Sequence, residues 1–448
     1  MNKRTFIKLS STLMATPIIS PIMDWVQDAP LKNWAGNLQY STHNINYPQS
    51  AEEVQQLVKK YPRMKALGSR HCFNNIADSK DQLVGMKNMN KVISLDTQSH
   101  RVTIEGGINY GQLCPYLDGK GYALPNLASL PHISVAGACT TATHGSGVKN
   151  KNLAAPVAAI EFVSADGSLH TLSKDKDGEN FNATVVGLGA LGVVTKLTLN
   201  IQPAFKVRQV VYENMPMSQL KENFDKILSA GYSVSLFTDW LSESINEVWI
   251  KSIVKDNSEF KIPPTFFGAK AATKNMHPIA SLSAENCTEQ MGVPGPWYER
   301  LPHFKMGFTP SSGVELQSEY FIPHPNALDA ILAVARLHKD ISPHLFISEI
   351  RTIDADNLWM SPCYKQACVT IHFTWKQDWP AVSKLLPKIE KELAPYNARP
   401  HWGKLFTMAP AVLHKSYEKL PEFLKVIAKY DPTGKFRNEF LNRNIFSS

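Results

Sequence analysis

The sequence predicts an α+β fold: a mixed helix–strand region followed by a second region with an antiparallel sheet flanked by helices. Three observations carry this. Short helical and strand patterns alternate over residues 33–205. After Pro203, longer helical stripes alternate with period-two strands. Apolar residues make up 43% and charged residues 19% of the 448-residue chain, enough for a large core, which excludes disorder, collagen and a coiled coil. No uncharged apolar run reaches the ~18 residues of a membrane-spanning helix. At ~150 residues per domain, the length suggests two or three domains.

Ser50 and Glu53 have capping-box spacing ahead of a Val54, Leu57, Val58 stripe, which predicts a helix ended by Pro62. Met64–Leu67 reads as a strand running into Gly68-Ser69-Arg70-His71, and Val92–Leu95 and Val102–Glu105 read as two more. Gly106-Gly107 turn into a helix over Tyr110–Lys120, with Gly121 just past its end. Asp166-Gly167 between Ile160–Ser164 and Leu169–Leu172 signals a hairpin, and Val193–Leu199 is a further strand. Beyond Pro203, helices are expected at Met217–Leu228, Asn326–His338 and Ala381–Glu392, and strands at Val234–Thr238 and Glu247–Ile253. Residues 257–312, rich in Pro, Gly and Ser, should be the least regular. No internal repeat is visible.

Gly187-Leu188-Gly189-Ala190-Leu191-Gly192 matches G-x-G-x-x-G, but a dinucleotide fingerprint must open a helix. Here β-branched Val193-Val194-Thr195 lead into a strand pattern. A Rossmann domain is therefore rejected, and the glycines are assigned to tight turns.

Two segments combine small residues, hydroxyls and histidine. One is Gly68-Ser69-Arg70-His71-Cys72-Phe73-Asn74. The other is Ser129-Leu130-Pro131-His132-Ile133-Ser134-Val135-Ala136-Gly137, continuing through Thr141 and Thr143 to His144-Gly145-Ser146-Gly147. Such residues let a ligand reach backbone amides, and Ser134 is placed to cap a short helix whose start attracts phosphate. Together these segments resemble the vanillyl-alcohol-oxidase superfamily of flavoproteins, above all its alditol oxidases and their aldonolactone-oxidase relatives. Asn33-Trp34-Ala35-Gly36-Asn37, Arg399-Pro400-His401-Trp402-Gly403-Lys404 and Asp431-Pro432-Thr433-Gly434-Lys435-Phe436 fit as well. The resemblance runs from residue 33 to the C-terminus and is loosest over 205–310.

It implies a two-subdomain, PCMH-type FAD-binding domain over 33–205 and a substrate (cap) domain over 206–399. Residues 400–448 would complete the active site and pack on the FAD domain. It implies FAD joined covalently to His71, within Gly68, Ser69, Arg70, His71 and Cys72; close relatives are expected to carry serine where Cys72 stands. Ser129, Ser134, Gly137, Thr141 and His144 would line the isoalloxazine and diphosphate, with Val193 or Val194 near the adenine.

Three segments alternate as strands with one polar face: Glu315–Phe321, Phe346–Ile353 and Val369–Trp375. Glu349 and Arg351 share a face, as do Thr370, His372 and Thr374. Side chains of these types hydrogen-bond hydroxyls, which is what a polyol presents. The Glu-x-Arg and His-x-Thr pairs, with Gln317 and Lys404, also resemble the alditol-oxidase substrate site. The resemblance then implies His372 and Lys404 assisting deprotonation of a terminal hydroxyl and Arg351 stabilising negative charge. Ser129, Gln317, Glu349 and Thr374 would orient the remaining hydroxyls. The implied reaction takes a polyol to the aldose, with dioxygen reduced to hydrogen peroxide. An aldonolactone oxidase or dehydrogenase of gulono- or galactono-lactone type is the alternative. A flavoprotein whose catalysis has lapsed and a carbohydrate-binding module are the readings from other classes.

The formal net charge is +8, without a basic block, so nucleic acid is not expected as a partner. Six cysteines without a C-x-x-C are read mostly as small buried residues, and no metal site is expected. A monomer is expected. Residues 1–24 carry Lys3, Arg4 and Lys8, then an uncharged stretch from Leu9 to Met23 that Pro17 and Pro21 interrupt. Lys3-Arg4-Thr5-Phe6-Ile7-Lys8 resembles a twin-arginine export signal with its first arginine replaced by lysine. Export to the periplasm is the expectation, and a cytoplasmic enzyme with an N-terminal arm the alternative.

Overall fold

The computed structural model describes residues 30–255, 260–306 and 314–447; the export signal read at residues 1–24 lies outside them. Helix α1 (Ala51–Lys60) begins where the spacing predicts, with the Glu53 amide donating to Ser50 Oγ and with Val54 and Val58 buried. The Glu53 carboxylate reaches back to the Gln49 amide, one residue earlier than a regular capping box. Strands β1 (Ile45–Asn46), β2 (Lys65–Leu67) and β3 (Leu83–Gly85) form a small parallel sheet with β3 in the middle.

A second, antiparallel sheet contains β4 (Val92–Asp96), β5 (Arg101–Glu105), β6 (Val157–Val163), β7 (Leu169–Ser173) and β8 (Val193–Asn200), in the order β4-β5-β8-β6-β7. Asp166-Gly167 turns β6 into β7, with Gly167 at φ +85°. Helix α2 (Tyr110–Asp118) ends earlier than predicted, and Gly121 takes φ +81° in the turn that follows. The G-x-G-x-x-G stretch is the turn into β8. A Cβ on Gly192 would fall 2.2 Å from Val163 O, so the close passage of β6 requires glycine there.

The third sheet is antiparallel throughout. Its main strands are β9 (Lys206–Pro216), β10 (Ser233–Thr238), β11 (Ser244–Ile253), β12 (Glu315–Pro323), β13 (Leu345–Ile353), β14 (Cys368–Lys376) and β15 (Arg399–Pro400), in the order β9-β11-β10-β13-β14-β12-β15. It thus takes in Pro400, the first residue of the expected C-terminal segment, beside Arg399, the last of the expected cap domain. Short strands at Thr265–Phe266, Ala269–Ala271 and Gly295–Pro296 extend it around β9. They come from the stretch predicted to be least regular.

Period two divides this sheet into an apolar and a polar face. Leu316, Tyr320, Ile322, Ile350, Ile371 and Phe373 pack with Leu220, Ile331, Val334, Val382 and Leu386 in one core. The latter come from three helices: Met217–Leu228, Ala327–Ala335 and Trp379–Leu393. Truncating one such aliphatic side chain to alanine costs about 2–5 kcal/mol. The opposite face carries Gln317, Glu319, Glu349, Arg351, His372 and Thr374. It is not solvated: these residues line a cavity shared with the two glycine- and hydroxyl-containing segments. Five cysteines are buried, Cys72 is half-buried, and all six are free.

Candidate active site

Register places the polar side chains in rows. β14 lies between β12 and β13, so Glu319, His372 and Glu349 stand side by side across three strands. The next row holds Gln317, Thr374 and Ile347, and the row on the other side Phe321, Thr370 and Arg351. Beyond β13, Phe237 of β10 pairs with Glu349.

Lys404 arrives from the chain following β15. That chain runs along β12, with the His401 amide donating to Glu319 O and the Leu405 amide to Gln317 O, both at 2.9 Å. Lys404 Nζ thereby reaches Glu319 Oε2 at 2.6 Å and His372 Nδ1 at 2.8 Å. The first flavin-type segment is tied to the same stretch: the Phe73 amide donates to Gly403 O, and Asn74 Nδ2 to the carbonyls of Trp402 and Lys404. The second is tied to β13, with Arg351 Nη1 donating to Ser129 Oγ at 3.3 Å and the Gly147 amide to Thr352 O at 2.9 Å.

Glu319 is the hub, and sequence reading passed over it. Besides Lys404, its carboxylate meets Arg351 Nη2 at 3.1 Å and His144 Nε2 at 3.1 Å. Its side chain is 0% exposed, so every partner is protein. The signal was available: Glu315, Gln317 and Glu319 fall on one face at period two. His303, whose Nε2 meets Glu349 Oε1 at 2.7 Å, comes from the irregular stretch and had none.

Burial by itself would raise Glu319, but Lys404, His144 and Arg351 outweigh it and hold its carboxyl well below the usual range. In Glu349, burial is likewise outweighed by Arg351 and His303. Burial, then the Lys404 charge, push His372 down to about 4, so its ring is neutral at pH 7. Burial also lowers Lys404, against the pull of Glu319. Glu319 and Glu349 are therefore set against Arg351 and Lys404 around a neutral imidazole, and buried charges require such partners. His144, Glu319 and His401 bring potential ligand atoms within 4.8 Å of one another. The two cations on Glu319 already satisfy the charge a metal ion would use.

The other wall of the cavity is built differently. Gly68, Ser69, Arg70, His71, Cys72, Ser129, Ser134, Gly137, Thr141 and His144 all line it. Ser134 precedes the short helix Val135–Thr140 without capping it through its side chain; its amide instead donates to Ser69 Oγ at 2.9 Å. A Cβ on Gly68 or Gly137 would come within 2.6 Å of Ser134 Oγ, so a backbone cradle closes around that hydroxyl. The acids of the cavity, Glu315, Glu319 and Glu349, all stand on the sheet. An acid-free wall of amides, hydroxyls and small residues fits a dinucleotide diphosphate. His71 stacks on Trp34 at 5.2 Å, and burial, then the charges of His132 and Arg70, hold it down near 3. Val193 and Val194 are the two candidates outside the cavity lining: they pair with Val163 and Phe162 within the second sheet.

Residues 43–173 match the FAD binding domain family, and residues 312–444 the D-arabinono-1,4-lactone oxidase family. The alditol oxidase of Streptomyces sp. (strain IKD472 / FERM P-14339) is 44% identical over 412 residues, covering 91% of this chain and 97% of the relative. The L-gulonolactone oxidase of Mus musculus is 25% identical, covering 93% of this chain and 98% of the relative. The L-gulono-1,4-lactone dehydrogenase of Mycobacterium tuberculosis is also 25% identical, with 92% and 98% covered. Among solved structures, cholesterol oxidase from B. sterolicum superposes with a TM-score of 0.74 at 13% identity, over 97% of this chain and 100% of the other, a likeness of fold alone. With its acid-free cradle and its charge-balanced sheet, the chain belongs to the alditol-oxidase family of FAD-dependent oxidoreductases, within the vanillyl-alcohol-oxidase superfamily.

Proposed function

We propose that this enzyme oxidises the terminal hydroxyl of a polyol to the aldose. The observation that carries this is the row Glu319, His372, Glu349, flanked by Arg351 and Lys404, in the cavity that holds the flavin cradle. The cradle residues, with His71, would hold FAD, which would supply the redox chemistry: a hydride acceptor for the alcohol carbon and, with dioxygen as the final acceptor, hydrogen peroxide as second product.

The protein's part is to bind, orient and move a proton. An isolated alcohol is far too weak an acid at pH 7, so its proton needs a base and its oxygen nearby positive charge. Lys404 Nζ sits between Glu319 Oε2 and His372 Nδ1. Burial makes the neutral amine of Lys404 more accessible than that of an exposed lysine, and that Nζ takes the hydroxyl proton, the resulting ammonium being held between Glu319 Oε2 and the His372 Nδ1 lone pair. His372 Nε2 is held against Thr374 Oγ1 at 3.0 Å, which fixes the ring. Arg351, anchored by Glu319, supplies fixed charge for the developing alkoxide. Glu349, Gln317, Ser129 and Thr374 receive the remaining hydroxyls. Pairing each hydroxyl discriminates against analogues that lack one.

His71 is read as the covalent anchor. A neutral ring nitrogen is the nucleophile that attachment at the flavin 8α carbon requires, and Trp34 holds the ring flat against its own. Acid-precipitated protein should stay yellow, and His71→Ala should release its flavin on denaturation. Wild-type protein that yields all its flavin to the supernatant would rule the link out. The order of charge in residues 1–24 supports export to the periplasm, tested by fusing residues 1–32 to a reporter and locating it.

A second reading, oxidation of an aldonolactone, is favoured by the family match over 312–444. Peroxide release measured across polyols and aldonolactones decides between the two: a polyol should give the higher kcat/KM, and a lactone preference would overturn the first reading.

A further inference from the structure

The buried charges continue behind Glu349. Lys251 projects from β11 and is 1% exposed. Its Nζ lies 2.5 Å from Leu301 O, 3.0 Å from Pro302 O and 3.1 Å from His303 Nδ1. Two carbonyls take two of its N–H bonds; the third points at Nδ1, because the ionised Glu349 requires the proton of the neutral His303 ring on Nε2, and burial pushes this ammonium down to about 7. His303 Nδ1 is then a lone pair, and the proton of the neutral ring is on Nε2, which donates to Glu349 Oε1 at 2.7 Å. That leaves Oε2 of Glu349, 3.4 Å from Arg351 Nε.

We propose that Lys251 and His303 are positioning residues that lock one imidazole tautomer, so that Glu349 presents Oε2 alone, fully ionised, to a substrate hydroxyl. The inference rests on the polyol reading above and deepens it. A carboxylate oxygen only accepts, so it selects a group that donates; an alcohol hydroxyl satisfies it, and a carbonyl or ring oxygen in that place does not. The charged groups facing His303 are Lys251 on β11 and Glu349 and Arg351 on β13. Its ring edges are packed by Trp249 at 5.2 Å and Phe237 at 5.6 Å, which keep water out. Burial, then the Lys251 charge, push His303 down to about 4, against Glu349. Without the Lys251 charge the ring gains a proton more readily, and an imidazolium at 2.7 Å would neutralise Glu349.

The test uses flavin-loaded, full-length Lys251→Met, His303→Leu and His303→Gln, with xylitol as substrate from pH 6 to 8.5. In Lys251→Met, KM should be raised at pH 6 and recover toward pH 8.5, while wild-type KM stays flat. His303→Leu should raise KM at every pH by ~10-fold or more, the scale of one hydrogen bond to a charge. His303→Gln keeps a non-titrating N–H donor and should restore most of the affinity without pH dependence. In all three, kcat should move less than KM. Lys251→Met tracking wild type at every pH, or Leu and Gln behaving alike at position 303, overturns the inference while the polyol reading stands. A wild-type enzyme that no polyol reduces overturns both.

Discussion

The two walls of the cavity are made of opposite materials. The cradle wall, residues 68–72 and 129–144, offers amides, hydroxyls and small residues, with no acid. The sheet wall offers charged side chains, with Glu319 and Glu349 set against Arg351 and the half-buried Lys404, each of these four partnered. A backbone cradle depends on close approach, so it is sensitive to added volume. A charge cluster depends on balance, so it is sensitive to removal of one member. Each wall should therefore fail in its own way, and the failures can be told apart.

The largest effect is expected from Glu319→Gln. It takes from Lys404 the carboxylate that Nζ meets at 2.6 Å and leaves Arg351 with Glu349, and breaking one partner of a buried pair costs about 3–5 kcal/mol. Thermal unfolding should drop accordingly. In the fraction that folds, flavin reduction by polyol should slow severely although flavin content is retained. A variant as stable and active as wild type would remove Glu319 from the hub.

Gly68→Ala probes the other wall. The new methyl would fall 2.5 Å from Ser134 Oγ, and that hydroxyl must move. Overpacking of this kind costs about 1–3 kcal/mol, here set against flavin loading rather than chemistry. Flavin per protein should fall, while the loaded fraction is reduced by polyol at the wild-type rate. Slow reduction with full loading would mean that the two walls are not separable.

A smaller, graded effect is expected with pH. His303 and His372 have pKa values near 4 in the folded protein, below the ordinary 6.5. Between those values the unfolded chain binds protons that the folded chain does not, so stability is full above pH 6.5 and falls on acidification. Each histidine contributes up to about 1.4 kcal/mol per pH unit. Glu319 and Glu349, held below 4.5, act in the same direction at lower pH. The melting temperature should therefore decline from pH 7 to pH 5; a flat profile would show the two rings to be protonated already.

The walls also differ in how far the sequence disclosed them. The cradle was legible because its residues come from two short stretches: Gly68 to Cys72 all line the cavity, and so do Ser129, Ser134, Gly137, Thr141 and His144. Val193 and Val194 lie in β8, as the strand pattern predicts, and are not among the residues that line this cavity. On the sheet wall, period two identified Glu349, Arg351, His372 and Thr374 but gave no register. Only the pairing of β12 with β14 and of β14 with β13 puts Glu319, His372 and Glu349 in one row. His303 and Lys251 were out of reach, since their roles come from contacts between distant segments. Element boundaries shifted where local chemistry competes. The helix expected over Asn326–His338 stops at Ala335 and resumes as a separate turn over His338–Ile341.

Anaerobic stopped-flow bleaching of the bound flavin by a polyol tests the division of labour between the walls most directly. Wild-type protein should bleach completely. Lys404→Met and Arg351→Met should carry a full complement of flavin yet bleach at least ~100-fold more slowly, the effect of losing one preorganised charge at a developing anion. Near-wild-type bleaching in both would contradict this directly, showing that the buried charges of the sheet wall hold the fold together and take no part in the reaction.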